Sequence, residues 1–158
     1  VACVQKFGKG LQQEVRDLAK RYQDVIIDAG GRDSPELRAG LIVADVLLTP
    51  IQASQFDLWT LTRMNDLVEQ VHDFNPNLKS LVVLSRAVTN KSVVDTSEAA
   101  DLVKDYQTFT LCDSIIRDRI SYRRAISNGM GVVEYQPQDA KAIDEIEALY
   151  NEVFTDGI

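Results

Sequence analysis

Three short runs of consecutive apolar residues constrain this chain more than anything else in it: Val25-Ile26-Ile27, Val46-Leu47-Leu48 and Leu81-Val82-Val83-Leu84. None is long enough for a helix and none alternates, so each predicts a strand buried on both faces. Val1 to Val4 is a further candidate, and Thr108 to Cys112 reads as a less buried one. Between these runs the apolar period becomes helical. Leu11, Val15, Leu18 and Tyr22 form one stripe on a helix from about Lys9 to Arg21. Ser34 caps and Pro35 opens a second helix, with Leu37 and Leu41 facing inward. A third runs from about Gln55 to Asp73, with Leu58, Leu61, Met64, Leu67, Val68 and Val71 on one side, and Asn75-Pro76 ends it. Asp95 and Glu98 make a capping box ahead of Ala99, Leu102, Val103 and Tyr106. A short helix from about Arg119 to Asn128 stops at Gly129. The last runs from about Gln138 to Phe154, with Ile143, Ile146, Tyr150 and Val153 inside and a frayed tail from Thr155 to Ile158.

This rhythm predicts an α/β fold: a mostly parallel sheet with helices on both faces. At 158 residues the chain fits a single domain, residues 1–158, and no repeat or low-complexity tract divides it. Seventeen basic residues against twenty-four acidic ones leave a net charge of −7. That excludes a general nucleic-acid coat and leaves room for a local basic patch. Cys3 and Cys112 are too few for a metal or disulfide framework, and a free cysteine is usually a small buried hydrophobe. His72 is the only histidine, so histidine metal sites and Ser-His-Asp chemistry lack raw material. No apolar run approaches the roughly 18 residues of a membrane span and no signal peptide is visible, so a cytoplasmic protein is expected.

Ligands of open parallel sheets bind beyond the carboxyl ends of the strands. Val25-Ile26-Ile27-Asp28 followed by Ala29-Gly30-Gly31 has the layout of a Walker B element: a carboxylate that can hold a Mg²⁺ shell, then glycines that let backbone N–H groups approach a phosphate. An ordinary strand-to-helix turn explains the same spacing. Pro50 fixes the exit of the next strand, and Trp59, in the helix that follows, reads as core. Ser85 and Arg86 place a hydroxyl and a guanidinium at a third strand end. Arg117, Arg119, Arg123 and Arg124 fall within eight residues. Salt bridges to Asp113 and Asp118 are one reading of this cluster, and a phosphate-backbone patch is the other.

Taken together, Asp24 through Ser34, then Ala44-Asp45-Val46-Leu47-Leu48-Thr49-Pro50-Ile51-Gln52, then Phe56-Asp57-Leu58-Trp59, resemble the ParA/MinD-type (deviant Walker) family of plasmid and chromosome partition ATPases. Ile120 through Ala125 and Asn128 through Tyr135 are similar to that family's Arg-bearing helix, glycine turn and apolar-Glu-Tyr segment. The resemblance covers nearly the whole chain from about Leu11. It implies a P-loop NTPase-like three-layer architecture, ATP and Mg²⁺ as cofactors of the complete protein, and an ATP-sandwiched homodimer. It also implies non-specific DNA binding, a partition adaptor that stimulates hydrolysis, and no membrane. Asp28 would hold Mg²⁺ through water, Gly30 and Gly31 would sense the γ-phosphate, and Ser85 and Arg86 would lie at the base. Arg117, Arg119, Arg123 and Arg124 would form the DNA surface.

Two departures shape the expectation. The family's Lys-containing, Gly-rich phosphate loop is missing, since Lys6-Phe7-Gly8-Lys9-Gly10 lacks its spacing, and the chain opens with Val1. The reading is therefore the C-terminal two-thirds of such a protein, without an N-terminal βαβ portion of roughly 60 residues. No nucleotide is expected on this chain alone, which should be inactive. The strand from Asp24 to Asp28 would then have to pair with Val1 to Val4 or with another copy. Ser85 also stands where many relatives carry an Asn. The alternative reading is a non-catalytic ParA-like scaffold that has lost the nucleotide site, and an unrelated flavodoxin-like domain is a third.

Overall fold

The computed structural model describes residues 2–8, 10–30, 32–52, 55–89, 100–101 and 103–154, with backbone alone at 55–58. Its centre is a parallel three-stranded sheet in the order β1 (Val46–Ile51), β2 (Lys79–Ala87), β3 (Thr110–Arg117). β2 is central because Leu81, Val82, Val83 and Leu84 are all buried, and only a strand with both faces covered can hide four consecutive apolar side chains. Val46 to Ile51 of β1 pair in unbroken register with Lys79 to Leu84. The β2–β3 register shifts twice, between Val82 and Leu84 and between Leu84 and Ala87.

The helices are α1 (Leu11–Ala19), α2 (Pro35–Val43), α3 (Gln55–His72), α4 (Ile120–Ser127) and α5 (Ala140–Phe154). α3 covers one face of the sheet: Leu61 and Val68 pack with Ile51, Val82 and Leu84. α2 docks on α3 through Leu37, Leu41, Leu67 and Val71. On the opposite face Val153 and Leu149 of α5 meet Leu81, Val83 and Cys112. The expected three-layer α/β arrangement is thus present, with helices on both faces.

Local signals hold where they are self-contained. Ser34 Oγ accepts the Leu37 N–H at 3.1 Å, with Pro35 in the first turn. The Asn75 amide donates to the Leu41 and Ala44 carbonyls at 2.9 and 2.8 Å, tying the end of α3 to the end of α2. Gly129 terminates α4 at φ +67°, a left-handed conformation glycine adopts without a steric penalty. Asp95, Glu98, Ala99 and Leu102 lie outside the described residues, as does the tail from Thr155. No helix among the described residues is long and apolar enough to cross a membrane.

Four expectations are corrected. Val25-Ile26-Ile27 is not a buried strand: residues 24–30 are irregular, Ile26 is 83% exposed, and Ile27 rests over Gly40 of α2. A strand is defined by its ladder, and where none forms the backbone stays solvated. Ala2, Cys3 and Val4 are exposed and form no strand, so they do not supply the neighbour. Trp59 is 64% exposed rather than core. Tyr150 leaves the inner face of α5, is 55% exposed, and stacks on Phe154 at 4.8 Å between ring centres.

Candidate functional site

Because all three strands run parallel, their carboxyl ends share one edge of the sheet, and β1 and β2 there carry Pro50, Ile51, Ser85 and Arg86. Ser85 is half-buried and Arg86 exposed. Arg86 has φ +52°, the one positive φ among described non-glycine residues, and it sits within a register shift of β2. Left-handed backbone at a non-glycine residue is strained, and such strain concentrates at functional positions.

Asp28 and Gly30 are exposed on the irregular segment that rides over α2, and Gly31 lies outside the described residues. A side chain added at Gly30 would meet open space, so no neighbour approaches its backbone closely. The segment is anchored at its far end. Asp33 accepts Arg38 Nε at 2.7 Å and Nη2 at 2.8 Å, while Arg38 Nη1 donates to Gln70 at 3.0 Å. That pairing holds the Asp33 carboxyl below its ordinary range.

The described residues do not by themselves compose an ATP·Mg²⁺ site. Asp28 stands off the sheet, the Gly8 N–H is already donated to Glu36 at 2.9 Å, and Lys6 pairs with Glu14 at 3.2 Å. Among the described residues no three of His, Cys, Asp and Glu gather as a metal cage.

The four arginines divide into two pairs. Arg119, preceding α4, grips Glu145 of α5: Nε lies 3.1 Å from both carboxylate oxygens and Nη2 lies 2.6 Å from Oε1. Arg117 donates its backbone N–H to Glu145 Oε2 at 3.2 Å and its Nη1 to the Val88 carbonyl at 2.8 Å. The side chains of Arg117, Arg119 and Glu145 are only 18%, 16% and 14% exposed. Tyr122 joins them, its hydroxyl donating to the Ala142 carbonyl at 2.9 Å and lying 3.2 Å from Glu145 Oε2. Burial and the nearby Glu145 carboxylate push the Tyr122 phenol well above its ordinary value. Ser121 completes the mounting by donating to Asp139 at 2.8 Å. Arg123 and Arg124, by contrast, stand on the solvent side of α4. Arg123 makes one ion pair, with Asp118 at 3.4 Å, and its side chain stays 64% exposed.

A groove of about 540 Å³ opens beside this cluster, between β3, the residues that follow β2 and the first turn of α5, lined by Thr89, Ile115, Arg117, Arg119, Lys141 and Asp144. Further along β3, Glu152 of α5 accepts the backbone N–H groups of Asp113 at 2.7 Å and Ser114 at 3.0 Å. Asp113 and Ser114 fall where the β2–β3 register shifts, so the Glu152 carboxylate satisfies two backbone N–H groups at that irregularity.

Sequence reasoning passed over Glu145 and Glu152. The available signal was their spacing: Glu145, Leu149 and Glu152 share one face of α5, and acids on a half-buried face need a partner.

The sequence model of the family described as ATPase MipZ matches residues 4–104, which include Asp28, Pro50, Ser85 and Arg86. Maintenance of carboxysome distribution protein A from Halothiobacillus neapolitanus is 27% identical over 113 residues, covering 72% of this chain and 51% of its own length. Protein IncC from Escherichia coli is 26% identical over 147 residues, covering 92% of this chain and 40% of its own length. A ParA family protein from Mycoplasma genitalium is 28% identical over 69 residues, covering 44% of this chain and 26% of its own length. The chain thus spans about half the length, or less, of the curated relatives it matches.

Proposed function

Because this chain belongs to the ATPase MipZ family, we propose that the protein it represents works as a ParA-type ATPase that positions a large cargo, DNA or a macromolecular assembly, through ATP-dependent dimerisation and non-specific DNA binding. The observation that carries this reading is the family match over residues 4–104, which takes in Asp28, the exit of β1 and the strained end of β2 in one stretch. One relative is named for distributing carboxysomes, so the cargo class extends beyond DNA. In this reading, once the rest of the nucleotide site is supplied, Asp28 would hold Mg²⁺ through water, Gly30 and Gly31 would lie at the γ-phosphate, and an adaptor protein would stimulate turnover.

The natural full-length protein tests it. Mg²⁺-dependent ATP binding by calorimetry and slow hydrolysis are expected, with hydrolysis lost in Asp28→Ala. Hydrolysis that survives Asp28→Ala removes that residue from the mechanism. Absence of any nucleotide binding favours the non-catalytic scaffold instead.

A further inference from the structure

We infer that Asn128–Gly129, where α4 ends, is a self-modification site: the asparagine converts to aspartate or isoaspartate, the closed last turn of α4 suppresses that reaction, and the product cannot restore the turn. Asparagine is among the chemically labile residues, and Asn128 is the only asparagine of this chain followed by glycine. Gly129 has no side chain to shield its backbone nitrogen, and both residues are exposed to water. Water and hydroxide are the only co-reactants the chemistry needs. The Gly129 nitrogen loses its proton to hydroxide and attacks Asn128 Cγ. The new N–Cγ bond closes a cyclic imide as the Cγ–Nδ2 bond breaks, and the Nδ2 group takes a proton from water and leaves as ammonia. Water then opens the imide at either carbonyl, giving aspartate, or isoaspartate with the main chain running through the former side chain.

The folded chain opposes that attack. Asn128 has φ −100° and ψ 6°. A ψ near zero eclipses the Gly129 nitrogen with the Asn128 nitrogen, whereas ring closure requires it to eclipse Cβ. The Gly129 N–H is donated to the Ile126 carbonyl at 2.9 Å, so losing that proton also costs a hydrogen bond. The Asn128 amide donates to the Arg124 carbonyl at 2.7 Å, which holds the carboxamide against the helix. The Met130 N–H, on the Ala125 carbonyl at 3.0 Å, closes the turn. Three hydrogen bonds of ordinary net strength favour the closed turn by roughly tenfold or more. Ring closure is slow beside the opening and reclosing of a helix end, so its rate follows the equilibrium share of open turns. The product then removes what opposed it. A carboxylate at position 128 has no N–H for the Arg124 carbonyl and faces the negative end of the helix dipole. Isoaspartate also lengthens the main chain by a methylene and draws the Gly129 and Met130 N–H groups off their acceptors. Ala125 in this turn packs with Val132 and with Ala142 of α5, so the loosened end reaches the seat of α4 on α5.

The test incubates the natural full-length protein in mildly alkaline buffer, folded and in concentrated urea, and follows aspartate and isoaspartate at position 128 by peptide mass mapping and enzymatic isoaspartate methylation. Product is expected in urea, and more slowly in native buffer by roughly tenfold or more. Ala125→Gly weakens the last turn and leaves the reacting groups intact. It is expected to speed the native reaction about fivefold and to leave the rate in urea unchanged. Asn128→Gln, whose longer side chain must close a larger ring, is expected to form product far more slowly in both conditions. Asn128→Asp is expected to speed hydrogen exchange at the Gly129 and Met130 amides. Equal wild-type rates in native buffer and urea overturn the gating by the turn, as does a native rate that Ala125→Gly leaves unchanged. Absence of product at Asn128 in urea overturns the site itself, and unaltered exchange in Asn128→Asp overturns the loss of the turn. No readout involves nucleotide or DNA, so failure here and failure of the ATPase reading are separate results.

Discussion

The guanidinium of Arg119 and the carboxylate of Glu145, 26 residues apart in sequence, close on each other through three short contacts of 2.6 to 3.1 Å. This pair joins the exit of β3, the start of α4 and the first half of α5. Removing the acid leaves a largely buried guanidinium and the Arg117 N–H without an acceptor. Glu145→Ala should therefore lower unfolding free energy by about 2–3 kcal/mol, between the values for exposed and fully buried pairs, while Glu145→Gln should cost less. Urea denaturation checks this, and a loss under about 0.5 kcal/mol, the usual range for surface changes, would make the pair incidental.

Glu152 gives the fold an acid-sensitive fastening. Burial works against its ionisation, but hydrogen bonds from Ser114, and from the backbone N–H groups of Ser114 and Asp113, outweigh it and hold the carboxyl below its ordinary value of 4.5. A depressed folded-state pKa contributes stability that is complete above the unfolded value and lost as pH falls through the folded one. Stability should thus decline below about pH 4.5, and Glu152→Gln should flatten that decline. An unchanged acid slope in the variant would remove Glu152 from the transition.

The two cysteines should report the core directly. Burial, reinforced by Glu152 and Asp113, pushes the Cys112 thiol up to about 12, so at pH 8 it stays protonated and enclosed. Cys3 is exposed. A thiol reagent should titrate one group rapidly in native buffer and the second only on unfolding, because the thiolate is the reactive form. Two fast equivalents in native buffer would contradict the packing of β3 against α5.

Ile26 and Val82 are both β-branched residues in apolar runs, yet one is 83% exposed and the other fully buried. Ile26→Ser should change stability by no more than about 0.5 kcal/mol, as for other surface substitutions. Val82→Ala should cost on the order of 1–3 kcal/mol through lost burial and a residual cavity. Comparable losses at the two positions would show that residues 25–27 belong to the sheet after all.

Several elements are legible in the sequence alone. Ser34-Pro35 sets the start of α2 because cap and first turn are satisfied within four residues. Leu61, Leu67, Val68 and Val71 mark the buried side of α3 because a helical period is a property of the segment itself. The four-residue apolar run of β2 demands covered faces wherever it sits. The same reasoning misplaced Trp59 and Tyr150, because an apolar stripe states which side of a helix can be buried and not how far the neighbouring layer extends.

What the sequence determined by itself is therefore the alternation of strand and helix, the caps, and the faces that must leave water, all fixed by interactions a few residues long. What only the tertiary structure decided is pairing. Val25-Ile26-Ile27 and Val46-Leu47-Leu48 have equal strand character, but only the second has a ladder partner, in β2. Arg119 and Arg123 are indistinguishable as sequence, but one meets Glu145 in a half-buried cleft and the other meets solvent. A hydrogen-bond ladder and a buried ion pair each need a second group brought from far along the chain, and no local pattern contains it.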